Sequence, residues 1–180
     1  MEINVVDVSD RALLKPALQL QRLGQTVIES NRTVSNAVGV MVKDVISAAG
    51  CQGSISVLRI YSHGNEGIFN IAGGVISGED DGNAIAVSNI KQLEPDLSRL
   101  APYFAPQARV ELQGCLVGKG TDGEKLLSEL ARLWHVRVQA TTSETSVAAV
   151  QFTGSVVEAH PSGGLTCAPA TPISVEKTKR

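Results

Sequence analysis

Hydrophobic positions along the chain alternate between short, nearly continuous runs and runs with helical spacing. Ile3 to Val8 is β-branched and almost unbroken, which predicts a buried strand. Arg11 to Leu23 predicts a helix with apolar residues at Leu14 and Leu18, Pro16 in its early turn and Gly24 ending it. Thr26 to Glu29 reads as a short second strand. Val34, Val38, Met41, Val42, Val45 and Ile46 then recur at i, i+4, i+7, i+8, i+11 and i+12, an amphipathic helix stopped by Gly50. Ile55 to Tyr61 is apolar on both faces, as a central parallel strand is. The Gly-rich stretch Ile68 to Asp81 predicts a hairpin or loop excursion. Ile90, Leu93, Leu97 and Leu100 mark a helix face, with Pro95 either opening or breaking it, and Pro102 and Pro106 ending the region. Arg109 to Gln113 predicts a strand. Thr121 and Glu124 form a capping-box pattern before a helix with Leu126, Leu127, Leu130 and Leu133 inward. Val136 to Ala140 and Val150 to Val157 complete the strands, and Ala168 to Arg180 reads as a loose tail.

Strands alternating with helices predict an α/β fold, a three-layer α/β/α sandwich around a mostly parallel sheet. The length fits one domain over residues 1–167, with a flexible tail over 168–180. Hydrophobic residues make up 43% of the chain and aromatics only 3%, so Val, Ile, Leu and Ala must fill the core. That composition suits buried parallel strands better than an aromatic-rich β-sandwich.

The net charge of −2, with no basic stripe, gives no reason to expect a nucleic-acid partner. No apolar run approaches the roughly 20 residues of a spanning helix, so no membrane span is expected. Met1 to Asp10 lacks a basic region followed by an apolar block, which makes a cytoplasmic location the default and leaves signal-free secretion open. The three cysteines, Cys51, Cys115 and Cys167, are far apart and form no CxxC pair. The three histidines do not fall into zinc spacing with them. Neither a disulfide scaffold nor a metal or other cofactor is therefore expected.

Two predicted strands end in reactive residues, and open α/β sheets place their sites at strand carboxyl ends. One strand delivers His63 followed by Gly64, and the other delivers Cys115 preceded by Gly114. Were these strands parallel neighbours, thiol and imidazole would emerge on one edge. A thiolate is the nucleophile, and an imidazole can take its proton and return it to a leaving amine. The N–H groups of Gly64 and Cys115 are then candidates for an oxyanion hole.

These residues carry a resemblance. Ser62-His63-Gly64-Asn65-Glu66-Gly67 resembles the S-H-G-E-E-G block of caspases, and Gln113-Gly114-Cys115 resembles their Q-A-C block. Cys115 follows His63 by about 50 residues, as in that family. The stretch from Ile3 to Ala140 also has the order of elements expected of the caspase-like fold, and it is most similar to caspase-related domains of unknown function in bacterial proteins. The chain departs from caspases at Asn65, at Gly114 in place of Ala, and at Val117, where caspases have Gly. The arginines behind the caspase preference for Asp have no match.

The resemblance implies a cysteine endopeptidase with a His63/Cys115 dyad, Gln113 lining the first specificity pocket, and a protein or peptide substrate. A homodimer paired through an edge strand is compatible with it. The alternative is a catalytically inactive caspase-like binding module of a bacterial secretion or toxin system.

A third reading comes from Gly114 to Thr121, G-C-L-V-G-K-G-T, which lies between a strand and a helix like a phosphate-binding P-loop. Its first Gly is one residue too close to Lys119 and its Thr one residue too far. Cys51 after the Gly50 stop, Cys167 near the tail, His135 at a helix end, His160 before Pro161 and Glu66 in a loop are expected to be structural or solvated.

Overall fold

A computed structural model describes residues 1–31, 36–73, 83–144 and 154–169. In chain order its elements are β1 (Glu2–Asp7), α1 (Leu14–Arg22), β2 (Thr26–Ser30), α2 (Ala37–Ala49), β3 (Ile55–Tyr61), β4 (Gly64–Asn65), β5 (Ile68–Asn70) and β6 (Ala84–Ala86). They continue with α3 (Ile90–Leu97), a 3₁₀ segment (Ser98–Tyr103), β7 (Phe104–Gln113), α4 (Gly120–Trp134), β8 (Arg137–Thr141), β9 (Ser155–Ala159) and β10 (Leu165–Pro169).

Seven strands form one sheet in the order β10-β9-β8-β7-β3-β1-β2. The five from β2 to β8 are parallel, and β9 and β10 are antiparallel additions. Three short strands, β4-β5-β6, make a separate antiparallel sheet inserted directly after β3. This is a mixed α/β architecture with a large, mostly parallel central sheet and four α-helices among the described residues.

Adjacent residues of a strand point to opposite faces, and the two cores follow that rule. Val5, Leu58, Ile60, Val110, Leu112 and Val138 pack with α2, α3 and α4. Val6 and Tyr61 face the other way and pack with Leu13, Ala17 and Leu20 at α1. The side of α1 against the sheet is therefore the Leu13, Ala17, Leu20 stripe. Leu14 and Leu18, two of the apolar residues that predict the helix, are 40% and 52% exposed. Either stripe has helical spacing; Val6 and Tyr61 on the sheet select the one that closes.

Other boundaries moved for local reasons. The capping box at Thr121 and Glu124 does not form. Helix α4 starts earlier, with Lys119 in the N-cap position and making no side-chain cap hydrogen bond. Pro95 neither opens nor ends α3 but lies inside it, and the chain tightens into the 3₁₀ segment just beyond. Strand β7 begins five residues before its predicted start at Arg109, and Gln107 in it has φ +67°. Strand β10 was not expected: it pairs with β9 and runs to Pro169, into the stretch read as tail. Val34, part of the region from Ile68 to Asp81, the start of the Val150–Val157 strand and residues 170–180 lie outside the described residues.

Candidate active site

The site is built on three adjacent strand ends. In the sheet β3 lies between β1 and β7, and all three are parallel. Val6 is paired with Tyr61, and Tyr61 with Gln113. The chain leaving β3 is Ser62-His63, the chain leaving β7 is Gly114-Cys115, and the chain leaving β1 carries Ser9 and Asp10. All emerge at the carboxyl edge, where the topology leaves loops rather than strands. The neighbourhood on which the His63/Cys115 pairing depends is thus present. Ser62 keeps the ladder going for one more step, its N–H donating to the Gln113 carbonyl at 3.4 Å.

Glycines let the two blocks approach. A Cβ on Gly64 would overlap the Val117 side chain and stand 3.2 Å from the Cys115 carbonyl oxygen. A Cβ on Gly114 would lie 3.0 Å from the Ser62 carbonyl oxygen and 2.8 Å from the Phe69 ring. The backbone after His63 folds into the β4–β5 hairpin, where Gly67 has φ +69°. The Gly67 N–H donates to the Val117 carbonyl at 3.4 Å, tying the hairpin to the loop that carries Cys115. In the ladder, Asn70 N–H donates to the His63 carbonyl at 3.0 Å. That makes Gly64 and Phe69 the non-bonded pair, so the Gly64 N–H points away from β5. An amide so directed is suited to an external acceptor.

His63 and Cys115 are both partly accessible, the imidazole with 28% of its side chain exposed. His63 also has a partner that the sequence reading did not identify. Its Nε2 lies 2.5 Å from Asp10 Oδ2. The other carboxylate oxygen of Asp10 accepts the Ala12 N–H at 2.8 Å. The Ala12 hydrogen bond first, then the bond to His63, hold the Asp10 carboxyl below its usual range. Next to it Asp7 is fully buried and accepts from the Ser62 hydroxyl at 3.1 Å and from the Ser9 N–H at 3.1 Å. Ser9 in turn accepts the Gly73 N–H at 2.9 Å. The turn after β1 therefore buttresses Ser62 and His63 together. An acid two residues past a predicted strand end, just before a helix, was the available signal.

The family model described as a domain of unknown function (DUF4347) matches residues 34–154. The chain belongs to this family. No curated protein matches it. Within this DUF4347 chain, His63, Gly64, Gln113 and Cys115 fall inside the matched span, whereas Asp10 precedes it.

In the DUF4347 loop from Gly114 to Lys119 the amides of Leu116, Gly118 and Lys119 are engaged. Leu116 N–H donates to the Ser143 carbonyl at 3.1 Å, Gly118 N–H to Thr141 at 3.0 Å, and Lys119 N–H to Leu116 at 2.9 Å. A phosphate cradle needs such amides turned inward on an anion. The Glu66 carboxylate also occupies the space beside Gly120 at the start of α4, where an anion would sit. Both features oppose the P-loop reading. They give Glu66 a defined place at a helix N-terminus, which favours a negative charge.

Gln113, expected in a specificity pocket, donates its Nε2 to Glu111 Oε2 at 3.0 Å. One N–H of its side-chain amide is thus tied to the sheet. Glu111 also accepts from Arg59 at 3.0 Å and from Arg109 at 2.8 Å. The remaining candidates are peripheral. His135 is the C-cap of α4 with φ +56°. His160, in the β9–β10 turn, faces Glu158 at 3.3 Å. Cys51 and Cys167 are exposed and lie on other parts of the molecule. No helix among the described residues is long and apolar enough to cross a membrane.

Proposed function

We propose that this chain is a cysteine endopeptidase of caspase-like type, acting through Cys115 and His63 on a protein or peptide substrate. The observation that carries the reading is the parallel pairing of β3 and β7, which delivers the two residues to one sheet edge. The Ser-His-Gly and Gly-Cys blocks at those ends support it, as does the close approach of Gly64 to the Cys115 loop.

In the proposed reaction the Cys115 proton passes to His63, and the thiolate attacks the scissile carbonyl carbon. The resulting oxyanion accepts from the N–H groups of Gly64 and Cys115. Collapse breaks the C–N bond, and the amine leaves with the proton that His63 held. Water then adds to the thioester while His63 takes its proton. The second collapse frees the carboxylic acid, which ionises by losing its proton to water, and His63 returns its proton to Cys115. These steps use side chains, backbone and water alone. Gln113 lines the pocket for the residue preceding the cleaved bond.

The test is cleavage of a mixed peptide library by the full chain, with labelling by peptidyl electrophiles. Cys115→Ala and His63→Ala are each expected to lower cleavage by at least about 10³-fold. The wild type should be labelled at Cys115 and not at Cys51 or Cys167. A library left intact, together with a Cys115 thiol no more reactive than the other two, rules the peptidase out and leaves a binding role.

A further inference from the structure

We infer that Asp10 is a positioning residue that holds His63 as the Nε2–H tautomer, so that Nδ1 is the atom that takes the Cys115 proton. The inference rests on the peptidase reading and deepens it. Imidazole has two nitrogens, and a neutral ring carries one proton. An ionised carboxylate only accepts, so a carboxylate oxygen 2.5 Å from Nε2 requires the proton to be on Nε2. The remaining lone pair is then on Nδ1.

Three features give Asp10 this role beyond its contact. First, the carboxylate is anchored rather than swinging. One oxygen accepts the Ala12 N–H at 2.8 Å, and the Asp10 carbonyl accepts the Leu13 N–H at 3.1 Å. Its orientation is set before any ligand binds. Second, it stays ionised through neutral pH, because that amide and His63 hold its carboxyl low. Third, the strand order puts Asp10 and Cys115 on opposite flanks of His63, since β1 lies on one side of β3 and β7 on the other. An imidazole fixed at one nitrogen by β1's turn presents its other nitrogen towards β7's end. In the proposed cycle the proton leaves Cys115 Sγ and arrives at Nδ1. The imidazolium so formed donates from Nε2 to Asp10. The proton then departs from Nδ1 with the amine, and Asp10 gains no proton at any step.

The experiment reads the tautomer directly. In the full ¹⁵N-labelled chain, long-range ¹H–¹⁵N correlations of His63 are recorded where the ring is neutral, and the signals are assigned by their loss in His63→Gln. The expected pattern is a protonated Nε2 in wild type, lost in Asp10→Asn. The same substitution is expected to slow iodoacetamide alkylation of Cys115 near pH 7 by at least about 10-fold. A wild-type ring protonated on Nδ1 overturns the inference, and so does an Asp10→Asn chain whose tautomer is unchanged or whose alkylation falls by less than that. The wild-type tautomer is read without Asp10→Asn, so misfolding of that variant does not shield the idea. A Nδ1–H ring in a chain that still cleaves peptides removes Asp10 alone. A Nε2–H ring in a chain with an unreactive Cys115 removes the peptidase instead.

Discussion

Gly64 is the residue on which the two halves of the proposed site meet. An alanine Cβ there would press on Val117 and stand 3.2 Å from carbonyl oxygens of both Cys115 and Ile68. Backbone atoms cannot rotate away as a side-chain tip can, so the hairpin and the Cys115 loop must separate. Gly64→Ala is expected to cost about 1–3 kcal/mol, read as a lower urea midpoint, and to slow Cys115 alkylation in the chain that still folds. An unchanged midpoint would mean that the approach is looser than the contacts indicate.

Asp10 makes a pH-dependent prediction at the same scale. Its carboxyl is held below the ordinary 3.8, chiefly by the Ala12 amide and then by His63. A depressed acid stabilises the fold above its unfolded pKa, and the contribution disappears as pH falls through the folded value. The urea-midpoint advantage of wild type over Asp10→Asn should therefore be complete at about pH 5 and shrink below about pH 4. An advantage that persists unchanged at pH 2 excludes the ionised carboxylate as its source.

At the scale of elements, the neighbouring strands β3 and β7 share a buried charge. Arg59 is 3% exposed and bonds Glu111 at 3.0 Å, while its second partner, Glu2, is 41% exposed. Removing Glu111 takes away the buried partner and leaves Arg59 only the solvated one, a loss bounded by the about 3–5 kcal/mol of a broken buried pair. A solvated partner is worth about 0–1 kcal/mol. Glu111→Ala should accordingly destabilise the chain several-fold more than Glu2→Ala in matched denaturant titrations. Equal losses would show that Glu111 is wetter than its burial implies. On the opposite face, α4 is fixed by leucines at helical spacing and by the Trp134 indole, which donates to the Leu97 carbonyl at 2.9 Å. The leucine stripe was legible from its period. The start of α4 was not, because Glu66 arrives there from a distant hairpin and local capping rules cannot see it. For α1 the period was also legible, but two stripes competed. Only Tyr61 and Val6 decided that Leu13 and Ala17 go inward while Leu14 and Leu18 face solvent.

For the whole molecule, stability should fall from the centre of the sheet to its edges. Strands β3 and β7 lie inside, with ladders on both sides, while β10 ends the sheet. Amides of Leu58, Ile60, Val110 and Leu112, all fully buried, should exchange with solvent last, and those of β10 first. Native-state hydrogen exchange checks this. Protection of β10 equal to that of β3 would indicate that the edge is covered in solution. The β7–β9 part of the α1 face carries the polar residues Glu111, Gln139 and Glu158; Glu111 pairs with Arg59 and Arg109, and Glu158 with Gln139 and Arg137. Their alternation with Val110, Val138 and Val157 kept these strands readable as strands.

Taken alone, the amino-acid order determined that strands and helices alternate, where most of them lie, and that two strands end on His63 and Cys115. Those properties are local: a run of β-branched residues or an apolar period of 3.6 is decided by near neighbours. Tertiary structure decided which strands are adjacent, and so that Asp10, His63 and Cys115 share one edge of the sheet. It also decided that Gln113 is bound to Glu111, and that β10 closes the sheet beyond β9. Each of these depends on contacts between residues far apart in the chain, and side-chain periodicity carries no information about which partner a strand will choose.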